Sequence, residues 1–217
     1  EATISGELQN CTLNNGWCTT ALVLHLAADE PLAEQSITVI EGTRNGEAFA
    51  CAGGQDHGGW LRTDREYEDF VWRFEFRFPD GKGNSGAFIR ATEQGNPAFT
   101  GIEIQLLADA GKPPSKGSCG ALYASVAPSK TATRPDDQWN DMEITCQGRA
   151  LKIVLNGETI ADVPNLDDPA IPFQEKKLAD RAKKGFLGLQ DHKSRVEFRS
   201  LWVKPLECVV VIVAFVA

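Results

Sequence analysis

Alternation of apolar and polar residues at period two dominates the chain from about residue 58 onward. Trp72-Arg73-Phe74-Glu75-Phe76-Arg77-Phe78 sets four aromatic residues against three charged ones. Successive side chains of an extended strand point to opposite faces, so this segment predicts one strand with an apolar side and a charged side. Arg73, Glu75 and Arg77 read as a cross-strand charge ladder rather than a reactive site. Further strands are predicted over residues 85–91, 100–107, 122–125, 139–146, 151–155, 159–163, 186–191 and 196–203. Asn156-Gly157 joins two of them as a two-residue hairpin turn. Only residues 174–184 carry a helical pattern. Many short strands between turn signals, with little helix, predict an all-β sandwich.

Residues 1–55 read as a small β-rich section of their own. Its strands are predicted over 22–26 and 37–40, and Asn45-Gly46 marks a hairpin between 38–43 and 47–51. Fifty residues make a marginal domain unless stapled, and cysteines are at hand for that. The strand rhythm and cysteines of this section are weakly similar to part of an immunoglobulin-like surface-protein repeat. Residues 56–206 form the main sandwich. Residues 207–217 end in nine consecutive apolar residues from Val209 to Ala217. A spanning helix needs about 20, so the tail predicts a terminal strand and no membrane span. It packs on its own core or adds to a neighbouring copy's sheet edge, which would make a homo-oligomer.

Composition narrows the function classes. The 217 residues carry a net charge of −8, which argues against nucleic acid as a partner because phosphate contacts need a basic face. Cys11 and Cys18 flank an Asn14-Asn15-Gly16 turn and suit a local disulfide, which would stabilise the fold by roughly 2–4 kcal/mol. Cys146 alternates with Met142 and Ile144 and reads as a buried free thiol. No Cys-x-x-Cys pair exists to suggest structural zinc. A start at Glu1, read as a mature terminus, together with a disulfide fits export, so the expected location is extracellular, periplasmic or at the cell surface.

Two segments place chemistry-bearing groups on strand faces. In Gly101-Ile102-Glu103-Ile104-Gln105, Glu103 and Gln105 share a side while the isoleucines point the other way. In Gly188-Leu189-Gln190-Asp191-His192, Gln190 and His192 share a side. If both polar sides lie on one sheet, a carboxylate, two amides and an imidazole meet. Such a set can hold a polyol and move a proton. Asp191 falls on the opposite strand face and reads as a turn group or a support behind the site.

These segments belong to an ordered series of short motifs. They are Gly59-Trp60-Leu61-Arg62-Thr63, Phe74-Glu75-Phe76-Arg77, Asn84-Ser85-Gly86 with Arg90, and the Glu103 segment. Gly120-Ala121-Leu122-Tyr123, Val126-Ala127-Pro128-Ser129-Lys130, Gln138-Trp139-Asn140, the Gln190 segment and Val196-Glu197-Phe198-Arg199 follow. In that order and spacing, the span from Gly58 to Leu206 resembles the DUF1080 family of 3-keto-disaccharide hydrolases. The segment rich in Phe-Asn-Gly and Gly-Trp turns that usually opens the family is not apparent in residues 1–55, and the tail after Leu206 also departs from the pattern.

The resemblance implies a concanavalin/LamG-like jelly-roll sandwich, a carbohydrate partner and action on oxidised glycosides. A ketone at carbon 3 of a glycoside acidifies the hydrogen at carbon 2. Removing that proton lets the carbon-1 substituent leave, and water can then add back. The chemistry needs a base, donors for the enolate oxygen and an acid for the leaving group. Glu103 or His192 would be the base. Arg90 would stabilise the enolate oxygen. Asn84, Gln105 and Gln190 would hold hydroxyls, and Tyr123 and Trp139 would offer stacking platforms. No cofactor is required; a divalent metal held by His192, Glu103 and a third ligand is compatible with the donors, though nothing in the spacing demands it. Two other functions use the same features: a non-catalytic carbohydrate-binding module, and a structural surface or filament subunit assembling through the C-terminal strand.

Overall fold

The structure is a computed structural model. It describes residues 60–206, apart from 136, 173–176 and 193, and the backbone of four earlier strands. These four are β1 (Ser5–Thr12), β2 (Cys18–His25), β3 (Gln35–Ile37) and β4 (Phe49–Cys51). There follow β5 (Trp60–Thr63), β6 (Phe70–Arg77), β7 (Asn84–Ala91), a short helix α1 (Pro97–Thr100) and β8 (Ile102–Leu107). The chain continues through β9 (Asn140–Gln147), β10 (Ala150–Leu155), β11 (Glu158–Val163), β12 (Phe186–Gln190) and β13 (Val196–Pro205).

These strands form two sheets, giving the all-β sandwich expected. The front sheet runs β1-β2-β5-β12-β7-β8, and the back sheet β11-β10-β9-β6-β13-β3, with β4 also on β13. Neighbours pair antiparallel except β2 and β5, which are parallel. The four strands before residue 55 therefore extend the two sheets: β2 lies on β5, and β3 and β4 lie on β13.

The core lies between the sheets. Phe70, Trp72, Phe74 and Phe76 on the inner side of β6 pack in one cluster with Ile102, Ile104 and Leu106 of β8, Ala87 and Ile89 of β7, and Leu187 and Leu189 of β12. Burying each large apolar side chain contributes roughly 1.5–3 kcal/mol, so alternation in these strands fixes which residues face outward. The outer side of the back sheet carries the expected ladder. Arg73 pairs with Glu143 at 2.6 Å and Arg77 with Glu197 at 2.7 Å, while Arg199 holds both oxygens of Glu75 at 2.8 and 2.9 Å.

Several expectations need correction. Among the described residues of 174–184 there is no α-helix, only a 3₁₀ turn at Leu178–Asp180. Tertiary contacts override the helical pattern here: Leu178 is buried, and Arg181 donates to the carbonyls of Ala98 and Gly101. Residues 122–125 form a tight bridged turn and not a strand. Cys119 and Cys146, the two cysteines whose side chains are described, are buried free thiols, and burial pushes both up to about 12. In β1 and β2 the register sets Cys11 opposite Thr19 and Cys18 opposite Thr12. Their side chains, the 45–46 hairpin and residues 207–217 lie outside the described residues. Among the described residues, no helix is long and apolar enough to cross a membrane.

Candidate functional site

The outer face of the front sheet collects most of the polar residues singled out by the sequence. Strand register builds it row by row. Arg62 of β5 pairs with Gly188 of β12, Gly188 with Phe88 of β7, and Phe88 with Glu103 of β8. Beside this row, Trp60 pairs with Gln190, and Gly86 with Gln105. Two glycines let side chains lie flat on the sheet. A Cβ on Gly188 would fall inside the Trp60 ring, and one on Gly86 would sit 2.5 Å from Glu103 Oε1. Trp60 meets Phe88 edge-on, with ring centroids 5.8 Å apart.

A wall stands beyond β8. The Tyr123 N–H donates to the Glu103 carbonyl at 2.9 Å, and the Gln105 N–H to the Ala121 carbonyl at 3.0 Å. Leu122 bridges Ile104 on the core side, so Tyr123 stands beside Glu103 on the outer side. It is half exposed. At the near end of β7, Gln105 Nε2 donates to Asn84 Oδ1 at 2.8 Å. The Asn84 N–H in turn donates to Ser194 Oγ at 3.1 Å, tying the 191–194 turn to this amide pair. His192 lies in that turn, two residues past the end of β12, and is exposed. Gln190 Oε1 is buried without a hydrogen-bond partner among the described residues.

Glu103 is the chemically distinctive group. Its residue is only 6% exposed, and its carboxylate has no hydrogen bond or ion pair with a described residue. Burial alone raises its pKa from 4.5 to about 7. Desolvation disfavours the charged form, and no cation among the described residues offsets it. A carboxyl with that pKa exchanges a proton readily near neutrality, as a general base or acid must.

Two expected residues are elsewhere. Arg90 does not share the face of Glu103. The β7–β12 register steps from Phe88↔Gly188 to Ala91↔Phe186, so Ile89 and Arg90 together oppose Leu187 in a β-bulge, with Arg90 at φ 53°. The extra residue turns Arg90 inward. It is fully buried, donates to the Glu68 carbonyl at 2.6 and 3.0 Å, and reaches Asp69 at 3.3 Å. Trp139 belongs to the outer side of the back sheet, with the guanidiniums of Arg77 and Arg199 over its ring at 4.7 and 4.1 Å. Thus Asn84, Glu103, Gln105, Gln190 and Tyr123 come together with His192 at their end, without Arg90 and Trp139.

Sequence reasoning missed Trp60, Arg62 and Phe88 as members of this face. Arg62 is nearly buried; it donates to Glu93 at 3.1 Å and lies 4.1 Å above the Phe186 ring centre. The signal was present in Trp60-Leu61-Arg62-Thr63, which alternates like the other strands. Among the described residues no three His, Cys, Asp or Glu side chains gather as a metal centre would need.

The profile of the 3-keto-alpha-glucoside-1,2-lyase-like domain matches residues 15–204. The chain belongs to this family. The match begins well before Gly58, so it takes in most of the strands that precede β5. Three solved structures, all from Parabacteroides distasonis ATCC 8503 and each named "putative glycosyl hydrolase", are similar to this 3-keto-alpha-glucoside-1,2-lyase-like chain. The first is 26% identical, covers 74% of this chain and 87% of its own, and superposes with a TM-score of 0.62. The second is 23% identical over 67% and 76%, with a TM-score of 0.56. The third is 20% identical over 79% and 84%, with a TM-score of 0.55. No curated protein matches the sequence.

Proposed function

We propose that this chain cleaves glycosides oxidised to a ketone at carbon 3, with Glu103 as the base. The observation that carries the proposal is the isolated, desolvated Glu103 carboxyl, with a pKa near 7, beside the Asn84–Gln105 amide pair. Glu103 takes the proton from carbon 2. The electrons move into the ketone oxygen as an enolate, then return to form the carbon-1 to carbon-2 double bond as the carbon-1 to oxygen bond breaks. The leaving alkoxide collects a proton from His192 on the rim, or from water. Water adding across the new double bond gives net hydrolysis. Gln105, Asn84 and Gln190 hold hydroxyls, and the exposed face of Tyr123 supports the ring. Unlike an ordinary glycosidase, this route needs no flanking pair of carboxylates.

Turnover of a 3-keto glucoside by the wild type, Glu103→Gln and His192→Ala tests the assignment. Glu103→Gln should lose at least about 100-fold in kcat while still binding the substrate. Undiminished turnover in that variant removes Glu103 from the chemistry. A second reading, carbohydrate binding without catalysis, draws on the same amides and Tyr123. Saccharide binding by a wild type that never turns over the 3-keto glucoside would favour it.

A further inference from the structure

The outer side of the back sheet carries a second hollow that the chemistry above does not use. It encloses about 410 Å³ and is lined by Arg73, Glu75, Asp141, Ser200, Trp202 and Lys204 among others. Its origin is a bulge in β13. The register steps from Arg199↔Glu75 to Trp202↔Arg73, so Ser200 and Leu201 together oppose Phe74, with Ser200 at φ 52°. Such a bulge bends its strand and re-aims the flanking side chains. Here Leu201 turns into the core and Trp202 stays out, 38% exposed.

We infer that this hollow is a second saccharide-binding site, taking a neutral sugar stacked on Trp202. Three of its groups are uncommitted. The Asp141 carboxylate, the Trp202 indole N–H and the Lys204 ammonium have no hydrogen-bond or ion-pair partner among the described residues. Glu75 is held by Arg199 and accepts from Ser200, which keeps it ionised. Arg73 and Lys204 balance Glu75 and Asp141, so the lining has no net charge. A neutral polyhydroxylated ligand suits such a wall better than an anion or a cation. An aromatic face supplies apolar contact for the C–H side of a sugar ring, and an unpaired carboxylate accepts from adjacent hydroxyls. The proposal stands apart from the reaction at Glu103, since the two sites occupy opposite outer faces of the sandwich.

The test titrates ¹⁵N-labelled protein with a panel of neutral disaccharides (maltose, cellobiose, sucrose and trehalose), with glucuronic acid and glucosamine as charged comparisons. The indole signal of Trp202 is assigned through Trp202→Ala. Because Trp202 lies on the back sheet, its indole signal reports that hollow and not saccharide held by the front face. At least one neutral disaccharide should shift the Trp202 indole signal and leave the charged sugars behind. Trp202→Ala and Asp141→Asn should each weaken that binding by roughly tenfold. Trp202 is surface-exposed, and thermal melting shows whether each variant is folded. No shift with any neutral disaccharide, a stronger response to a charged sugar, or affinity unchanged in both folded variants would each overturn the proposal. Undiminished turnover in Glu103→Gln with this binding intact would leave the back-sheet site standing and count against the front-face reading alone.

Discussion

Replacing Glu103 by glutamine should stabilise the protein at neutral and alkaline pH and leave it unchanged in acid. The carboxyl has its folded pKa raised from 4.5 to about 7. Below about pH 4 the group is protonated in both folded and unfolded chains and contributes nothing. Between those two pKa values the folded state holds a proton that the unfolded state has released, so stability falls as pH rises. Above about pH 7 both states are ionised, and the full cost of holding a charge in a desolvated place remains. The shift of 7 − 4.5 = 2.5 units corresponds to about 3 kcal/mol at 1.36 kcal/mol per unit. Glutamine has nearly the same shape and no charge to desolvate, so Glu103→Gln should escape that cost.

Urea unfolding of the wild type and Glu103→Gln at a series of pH values measures the effect. Other groups titrate equally in the two proteins, so the difference isolates Glu103. The curves should coincide near pH 4 and separate by up to about 3 kcal/mol near pH 8. In the wild type kcat/KM should rise with pH through an apparent pKa near 7, because only the carboxylate can take a proton from carbon 2. A stability difference that does not change with pH would refute the desolvation account. A kcat/KM profile rising instead near pH 4.5 would place the carboxylate in water.

Three other substitutions follow from the packing. Gly188→Ala should destabilise the protein by roughly 1–3 kcal/mol in urea unfolding and disturb the front face, because the methyl group meets the Trp60 ring and the Leu61 carbonyl. Arg90→Ala should cost roughly 2–4 kcal/mol, since it strips the Glu68 carbonyl and Asp69 of a buried partner; the folded fraction should keep the wild-type kcat, which an enolate-stabilising arginine would not allow. Trp139→Ala should weaken the packing of two guanidiniums, by about 1 kcal/mol, and leave KM for a 3-keto glucoside unchanged.

What could be read in the chain depended on whether alternation ran unbroken. Over residues 72–78 it did, and both sides of β6 were legible, the aromatic stack within and the charge ladder without. The same held for Glu103 and Gln105, whose face followed from Ile102 and Ile104. It failed at Arg90, where counting outward from Phe88 gives the wrong side because a bulge inserts one residue at positive φ. Nothing local marks that bulge, since Phe88-Ile89-Arg90-Ala91 contains neither glycine nor proline. Trp139 failed for a different reason. Periodicity tells which side of its own strand a residue takes, but not which sheet the strand joins, and stacking between Arg77 and Arg199 is a property of three separate segments. The helical pattern near residue 178 was real as a pattern and was outweighed by the buried contacts of Leu178 and Arg181. The polarity of Glu103 marked its side of the strand but not its burial, because burial of an outer face depends on what packs over the sheet.

The displacement of Arg90 bears on the chemistry itself. Had alternation continued, a permanently charged guanidinium would stand two residues beyond Phe88, on the same face as Phe88 and its pairing partner Glu103. A cation so placed favours the carboxylate and lowers its pKa. A base with a depressed pKa is weak, whereas one near 7 combines useful ionisation at neutral pH with real proton affinity. The β7 bulge moves that charge between the sheets, where it satisfies the Glu68 carbonyl and Asp69. The arginine then serves the fold, and Glu103 is left without an ion pair or hydrogen bond to any described residue. Burial is thereby left unopposed as the influence on its proton. The bulge in β13 does the complementary thing on the other sheet, holding Trp202 outward beside the Asp141 carboxylate, which has no hydrogen bond or ion pair with a described residue. In both sheets a single inserted residue decides which polar groups remain uncommitted, and those groups are the ones available to a ligand.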